Sequence, residues 1–415
     1  MYRKIKTIAI ASALALGVLS TPATAKDVKI GVISILEGAF AALGKDGIRG
    51  AELAVAEANG TAAGNKISVI TMSSDASPDS AVNAARKLIE QDKVDLIVGP
   101  LSGSEGLALR DLSKSYPAVT FLNGSSAAQD TTLRDSSDNF FRFGGDGAQW
   151  MVGVGNYAYK NLGYKKVAVV AEDYSFPYTQ VLGFMSEFCA AGGKVPNKFW
   201  TPIGAKDYSS IVYAIPSDVD AIFVALGGAD AVNFLTQYSQ AGGNKPIVGG
   251  TITIDQSILD SKGPFKKQLI GAPAGTPTVS DYDGKEWKAF TALYKKHFPD
   301  GFTAPSIFAH HYYMGAKAAL LALEEVKGDL SNNQATFRAA LTKLQFVTPT
   351  GGTMRLDKNR NGVIDNFVTE VFKRKDGTLG NRVVKVVRDI DQLLGQNEAE
   401  FLSKGPVSRD NPSCT

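Results

Sequence analysis

Cysteine and histidine are nearly missing from this sequence, with two Cys and three His among 415 residues. That scarcity excludes a scaffold built on several disulfides. It also excludes a zinc centre, because no HExxH or CxxC pattern supplies ligands at metal spacing. A Walker A loop is missing too, and so is a Gly-x-Ser-x-Gly elbow, since Gly103-Ser104 is preceded by Ser102 and no Ser-His-Asp set is apparent. Long apolar runs are equally scarce. The uncharged stretch at 8–19 is shorter than the ~20 residues that a hydrocarbon core requires, and no later stretch approaches that length without charges. No direct membrane insertion is expected.

The short apolar stretch has a different meaning in context. It follows Arg3, Lys4 and Lys6 and precedes the small residues Ala23-Thr24-Ala25, so residues 1–25 read as a cleaved secretory signal peptide. No Cys follows the cleavage site, which leaves no lipid attachment point, and a free periplasmic protein is expected. Removing 1–25 takes away three of the 44 basic residues and none of the 41 acidic ones, so the mature chain is formally neutral. Without a clustered basic surplus there is no footprint for nucleic acid or an anionic membrane. In an oxidising compartment Cys189 and Cys414 read first as a disulfide tying the tail to the helix near 181–191, with two separate thiols as the alternative.

What is present describes an ordinary folded chain. It is 44% hydrophobic and 20% charged, with 42 Gly and 17 Pro, and its length allows two or three compact units. Residues 28–34, 67–72, 96–98 and 119–122 are short, apolar and bounded by turn residues, as buried strands are. Helical spacing lies between them, in Ile48, Ala51 and Val55 and again in Ala81, Ala85 and Leu88 behind Ser77-Pro78-Asp79. The alternation restarts with strands at 167–171, 194–199, 221–225 and 246–249 and helices at 178–191, 208–215 and 229–240. Residues 285–344 read as helical and 353–391 as hairpins, which complete both units rather than build a third. The fold class is therefore α/β, with parallel sheets covered on both faces.

Open parallel sheets bind ligands beyond the carboxyl ends of their strands. The turns at those ends are 37–44, Gly99 to Ser104, Asn123-Gly124-Ser125-Ser126, 172–178, Gly227 to Asp230 and Gly250-Thr251. The first unit offers small polar turns and the second contributes aromatics, a pairing suited to a cleft.

With the leader, Lys29-Ile30-Gly31-Val32-Ile33-Ser34, residues 44–51, Val98-Gly99-Pro100 and Asn123-Gly124-Ser125-Ser126, the chain resembles the type I periplasmic solute-binding proteins. Within these it is similar to the branched-chain (leucine/isoleucine/valine) amino acid branch of ABC importers. The resemblance covers 26–394 and implies two Rossmann-like lobes joined by three crossovers, with the ligand cleft between them. One lobe would comprise 26–143 plus 275–350 and the other 144–274 plus 351–394, followed by a tail at 395–415. It implies a small-molecule ligand, a membrane permease as partner, a monomer, no cofactor and no catalysis.

The same resemblance implies site residues. Gly103, Ser104, Gly124 and Ser126 match positions that hold a ligand carboxylate, which agrees with the anion affinity of a helix N-terminus. Ser104 and Ser126 have the alternative reading of helix N-caps. Leu43 stands where an aromatic usually precedes a glycine, leaving Phe40 as the nearby ring, and Phe176, Tyr174 and Phe308 match or neighbour other pocket aromatics. Thr251 stands where amino acid binders carry a Glu for the ligand's ammonium group. Asp230 is then either the substitute carboxylate or a helix N-cap. In the second case the ligand is a carboxylate or amide without an α-amino group, such as an aromatic or short-chain acid.

Other hypotheses share this cleft. A ligand sensor presenting its state to a signalling partner needs the same residues, whereas an exported enzyme would turn its solute over. Residues 357–365 imitate an EF-hand start, but Val368 replaces the bidentate Glu and a hairpin turn is the better reading. Gly153-Val154-Gly155 reads as a close helix contact, not a dinucleotide fingerprint.

Overall fold

The computed structural model describes residues 27–414; the expected leader at 1–25 lies outside the described residues. Two sheets organise the chain. The first has strand Asp27–Ile35 at its centre, flanked in parallel by Asn65–Ser74 on one side and by Leu96–Val98, Thr120–Leu122 and Phe140–Phe141 on the other. In the second, Val167–Glu172 lies between Lys198–Thr201 and Ala221–Ala225, followed in parallel by Ile247–Gly249 and Pro273–Thr276. Long antiparallel strands Gly362–Lys373 and Leu379–Ile390 extend it beyond Pro273–Thr276. The architecture is a two-lobed α/β fold of the periplasmic-binding-protein type I class, with the chain passing between lobes after Phe141, after Thr276 and after Lys343.

The run at 44–51 has a packing cause. Helix Ala41–Glu57 lies against helix Ile307–Glu325, and glycines make the approach possible. A Cβ on Gly44 would stand 1.6 Å from the Ile35 carbonyl oxygen, one on Gly47 2.9 Å from the Tyr312 ring, and one on Gly50 2.0 Å from the Ala309 carbonyl oxygen. Real Cβ atoms essentially never come so close, so a side chain at Gly44 would push the helix off strand Asp27–Ile35, and one at Gly47 or Gly50 would force the two helices apart. Between them Asp46 is fully buried and accepts bonds from Tyr294 and Ser306, with Arg49 at 3.5 Å. Burial nevertheless holds its carboxyl above the usual range.

Several elements begin elsewhere than their patterns suggest. Strand Lys198–Thr201 starts four residues later than the apolar run beginning at Lys194, because Pro196 has no N–H for a ladder and Val195 N–H donates instead to the Cys414 carbonyl at 2.7 Å. Helix Ser175–Ala190 starts earlier than periodicity indicates, since Pro177 falls in its first turn, where a missing N–H is tolerated. Asp357 accepts from the amides of Asn359 and Asn361 at 2.8 and 3.0 Å, closing a hairpin turn between Thr353–Leu356 and Gly362–Lys373. Gly155 brings helix Val154–Lys160 onto helix Ser175–Ala190, where a Cβ would meet the Phe184 carbonyl at 2.4 Å. Cys189 and Cys414 are joined in a disulfide.

Candidate functional site

The turns at the strand ends of the two sheets face each other. Between them lies a narrow, nearly filled space of about 10 Å³, far smaller than the ~300–1,000 Å³ typical of open ligand clefts. One lobe lines it with Phe40, Leu43, Leu101, Ser125 and Phe308; the other contributes Trp150, Tyr174, Phe176 and Ile252. All nine are at least nine-tenths buried, and none of them is charged. Phe40 and Tyr174 meet at 6.2 Å, Tyr174 and Phe176 at 6.1 Å, and Trp150 and Phe176 at 5.7 Å between ring centroids, so an aromatic belt runs across the lobe boundary.

The lobes touch through small residues. A Cβ on Gly103 would stand 2.8 Å from Ser175 Oγ and 2.9 Å from Phe176 N, and one on Gly228 2.2 Å from the Ala39 carbonyl oxygen. Beside Gly103, the Ser104 and Ser175 hydroxyls meet at 3.2 Å. Two helix N-termini, of Gly103–Ser113 and Ser175–Ala190, thus face each other across the cleft. Their first-turn amides have no helical carbonyl to donate to, and both dipoles present their positive ends.

Of the residues expected at the site, Phe40, Leu43, Tyr174, Phe176 and Phe308 line this space, and Gly103 and Ser104 sit on its closing contact. The rest are placed otherwise. Gly124 is pressed under Tyr312, where a Cβ would come 2.5 Å from the ring. Ser126 lies against the preceding helix Gly103–Ser113, its hydroxyl 1.8 Å from where a Cβ on Gly106 would stand. Neither Ser104 nor Ser126 is an N-cap. Ser102 caps helix Gly103–Ser113 through a reciprocal pair with Glu105.

Thr251 and Asp230 are both engaged inside their own lobe. The Thr251 hydroxyl accepts from Gln180 Nε2 at 2.6 Å and donates to the Gly275 carbonyl at 2.7 Å; its neighbour Ile252 is the residue that faces the cleft. Asp230 is not the N-cap, a position held by Gly227; its carboxylate accepts from Gly204 N–H at 2.7 Å and tethers that loop to helix Gly228–Gln240. Burial raises the pKa of Asp230, and it raises that of nearby Glu172 further, with Asp230 adding to the effect on Glu172.

Sequence reasoning missed Leu101, Ser125, Trp150 and Ile252. Ser125 and Leu101 stand within turns already singled out, one residue from the chosen positions or two. Trp150 follows the first passage between lobes, in a one-turn helix at no strand end, so the strand-end rule gave it no signal.

A model of the periplasmic binding protein family matches residues 27–377. The chain belongs to that family. It is a periplasmic solute-binding protein whose two lobes close on a small organic solute. Among its relatives is the Leu/Ile/Val-binding protein homolog 7 of Brucella abortus, 28% identical over 346 residues that cover 76% of this chain and 82% of that one. An ABC transporter substrate-binding protein from Sphaerobacter thermophilus is 27% identical with a TM-score of 0.78, covering 88% of this chain and 99% of its own. A solute-binding protein of an ABC transporter from Rhodopseudomonas palustris BisB5, solved in complex with 3,4-dihydroxybenzoic acid, is 26% identical with a TM-score of 0.81 over 88% of this chain and 98% of its own.

Proposed function

We propose that this binding protein delivers to the membrane permease of an ABC importer a small aromatic, or similarly flat and apolar, carboxylate without an α-amino group. The observation that carries the reading is the closed space lined by rings from both lobes, with the Ser125 hydroxyl at its wall and no charged side chain. A buried α-ammonium needs a carboxylate partner, because an unpaired charge costs several kcal/mol. Thr251 is committed elsewhere and Asp230, which spends one oxygen on the Gly204 amide, lies outside the lining, whereas a carboxylate finds Ser125 and the amides at two helix N-termini. The relative that holds 3,4-dihydroxybenzoic acid supports the same class. The protein acts as a monomer, and no bond is made or broken while the solute is held.

The test is a thermal-shift and calorimetric comparison of ligand-stripped protein with benzoate, hydroxybenzoates, leucine and isoleucine. A ligand at 100 times its Kd adds about 2.7 kcal/mol of stability. Stabilisation by the aromatic acids alone is expected; stabilisation by leucine and not by the acids overturns the assignment.

A further inference from the structure

Ser125 does not stand alone at the cleft wall. Its Oγ lies 3.2 Å from Nδ1 of His311, a residue of helix Ile307–Glu325. The imidazole is locked in place. It stacks on Trp150, itself a cleft residue, at 4.8 Å between centroids, and a Cβ on Gly144 would come 2.8 Å from the ring. His311 is 1% exposed, and its Nε2 is buried without a protein partner.

A neutral imidazole carries one N–H, so the pair has two arrangements. In one, Nδ1–H donates to Ser125 Oγ; the serine's own proton is then free to point into the cleft, and Nε2 is left as an unused acceptor. In the other, Ser125 donates to Nδ1 and offers the cleft only a lone pair, while an N–H is orphaned at Nε2. Buried donors without partners are rarer in proteins than under-used acceptors, which favours the first arrangement. Burial first, then His310 and Arg142, keep the ring neutral by pushing its pKa well below the ordinary value.

The geometry points to His311 as the positioning residue that fixes the Ser125 hydroxyl as a donor into the cleft, and so as the determinant of its preference for a carboxylate. This rests on the proposed aromatic-acid function. A donor held by a neutral partner meets the oxygen of an acid at full strength and adds no charge to an apolar wall. The preference therefore resides in a residue that never touches the solute.

The experiment compares benzoate with benzamide by calorimetry in wild-type protein, His311→Phe and His311→Asn, with melting temperatures to confirm folding. Phe keeps the stack on Trp150 and removes Nδ1, whereas the Asn amide nitrogen stands about where Nδ1 does. Bonds to a charged acceptor exceed those to a neutral one, so His311→Phe should lower the benzoate-to-benzamide affinity ratio by about tenfold. His311→Asn should largely restore it. A ratio unchanged in His311→Phe, or an equal fall in both variants, overturns the inference. Nitrogen NMR of ¹⁵N-histidine-labelled protein gives a second reading: a protonated Nδ1 at His311 is expected, and a protonated Nε2 refutes it. If wild-type protein binds no aromatic acid, the functional reading fails, and the tautomer alone then decides whether Ser125 is held as a donor.

Discussion

Replacing Gly103 by Ala separates closure from folding. The new Cβ would stand 2.8 Å from Ser175 Oγ, 2.9 Å from Phe176 N and 3.0 Å from Phe176 Cβ, all across the lobe boundary. The serine hydroxyl can rotate away, but the Phe176 amide is backbone at the start of a helix and cannot. Overpacking of this kind costs about 1–3 kcal/mol. The clash exists only while the lobes are in contact, so its cost falls on the closed form alone, and affinity for an aromatic acid should drop about 5- to 150-fold. With the lobes apart nothing opposes the methyl group. Ala also suits a helix better than Gly by up to about 1 kcal/mol, so the ligand-free protein should melt at the same temperature or higher. Calorimetric titration and ligand-free melting together read the two effects. A Kd within twofold of wild type would refute the reasoning, and a parallel loss of affinity and ligand-free stability would show a folding defect instead of a blocked closure.

Three further outcomes are expected. Ser125→Ala should weaken benzoate binding by roughly 10- to 150-fold, since a bond to a charged group contributes ~1.5–3 kcal/mol; unchanged affinity by calorimetry would remove Ser125 as the anchor. Opening the Cys189–Cys414 link, which joins positions 225 residues apart, with a double Ala variant should cost about 2–4 kcal/mol in urea unfolding, and an unshifted midpoint would contradict this. Burial pushes the pKa of His310 down to about 3, against about 6.5 in the unfolded chain. The unfolded form thus binds the extra proton, so the stability tied to the neutral ring is intact above about pH 6.5 and is lost as pH falls toward 3. Wild-type protein should lose up to about 1.4 kcal/mol per pH unit relative to His310→Gln across that window, and parallel urea profiles would refute it.

The alternation of apolar runs with amphipathic stretches made both sheets legible, because each short run is buried on two faces and each intervening helix keeps one apolar stripe. Passages between lobes were less visible, since segments such as 142–153 owe their conformation to partners more than 200 residues away, Asn361 and Gly362 among them. At the site, position along the chain proved easier to read than orientation. The strand-end rule located 99–104, 123–126, 172–178 and 250–251, but it cannot say which residue of a turn points inward, and Ser125 rather than Ser126, and Ile252 rather than Thr251, line the cleft. Asp230 shows the same limit. A carboxylate near a helix start suggests a cap or a ligand partner, and only the folded chain shows the Gly204 amide that engages it.

The hydrogen bonds between lobes divide into a fixed set and a labile one, and this division says where closure happens. At the first passage the fully buried Arg142 donates to the Ala128 carbonyl, Thr132 Oγ1 and Asn361 Oδ1, while Gln149 donates to the carbonyls of Gly362 and Ile390. Burial lowers the Arg142 pKa only to about 10, so the guanidinium keeps its charge at neutral pH. Breaking this knot would strand a buried charge at a cost of several kcal/mol, and the lobes must therefore turn about it. The cleft rims are built differently. Ser104 meets Ser175, Gln129 N–H donates to Thr179 Oγ1 at 3.2 Å, and Thr303 N–H donates to Asp260 at 2.7 Å. The two neutral bonds contribute about 0.5–1.5 kcal/mol each and the bond to the Asp260 carboxylate about 1.5–3 kcal/mol, so these contacts together hold the closed form by a few kcal/mol. A carboxylate bonded at Ser125, together with one buried ring, supplies a difference of that same size, which is the condition for a solute to shift the lobes from open to closed.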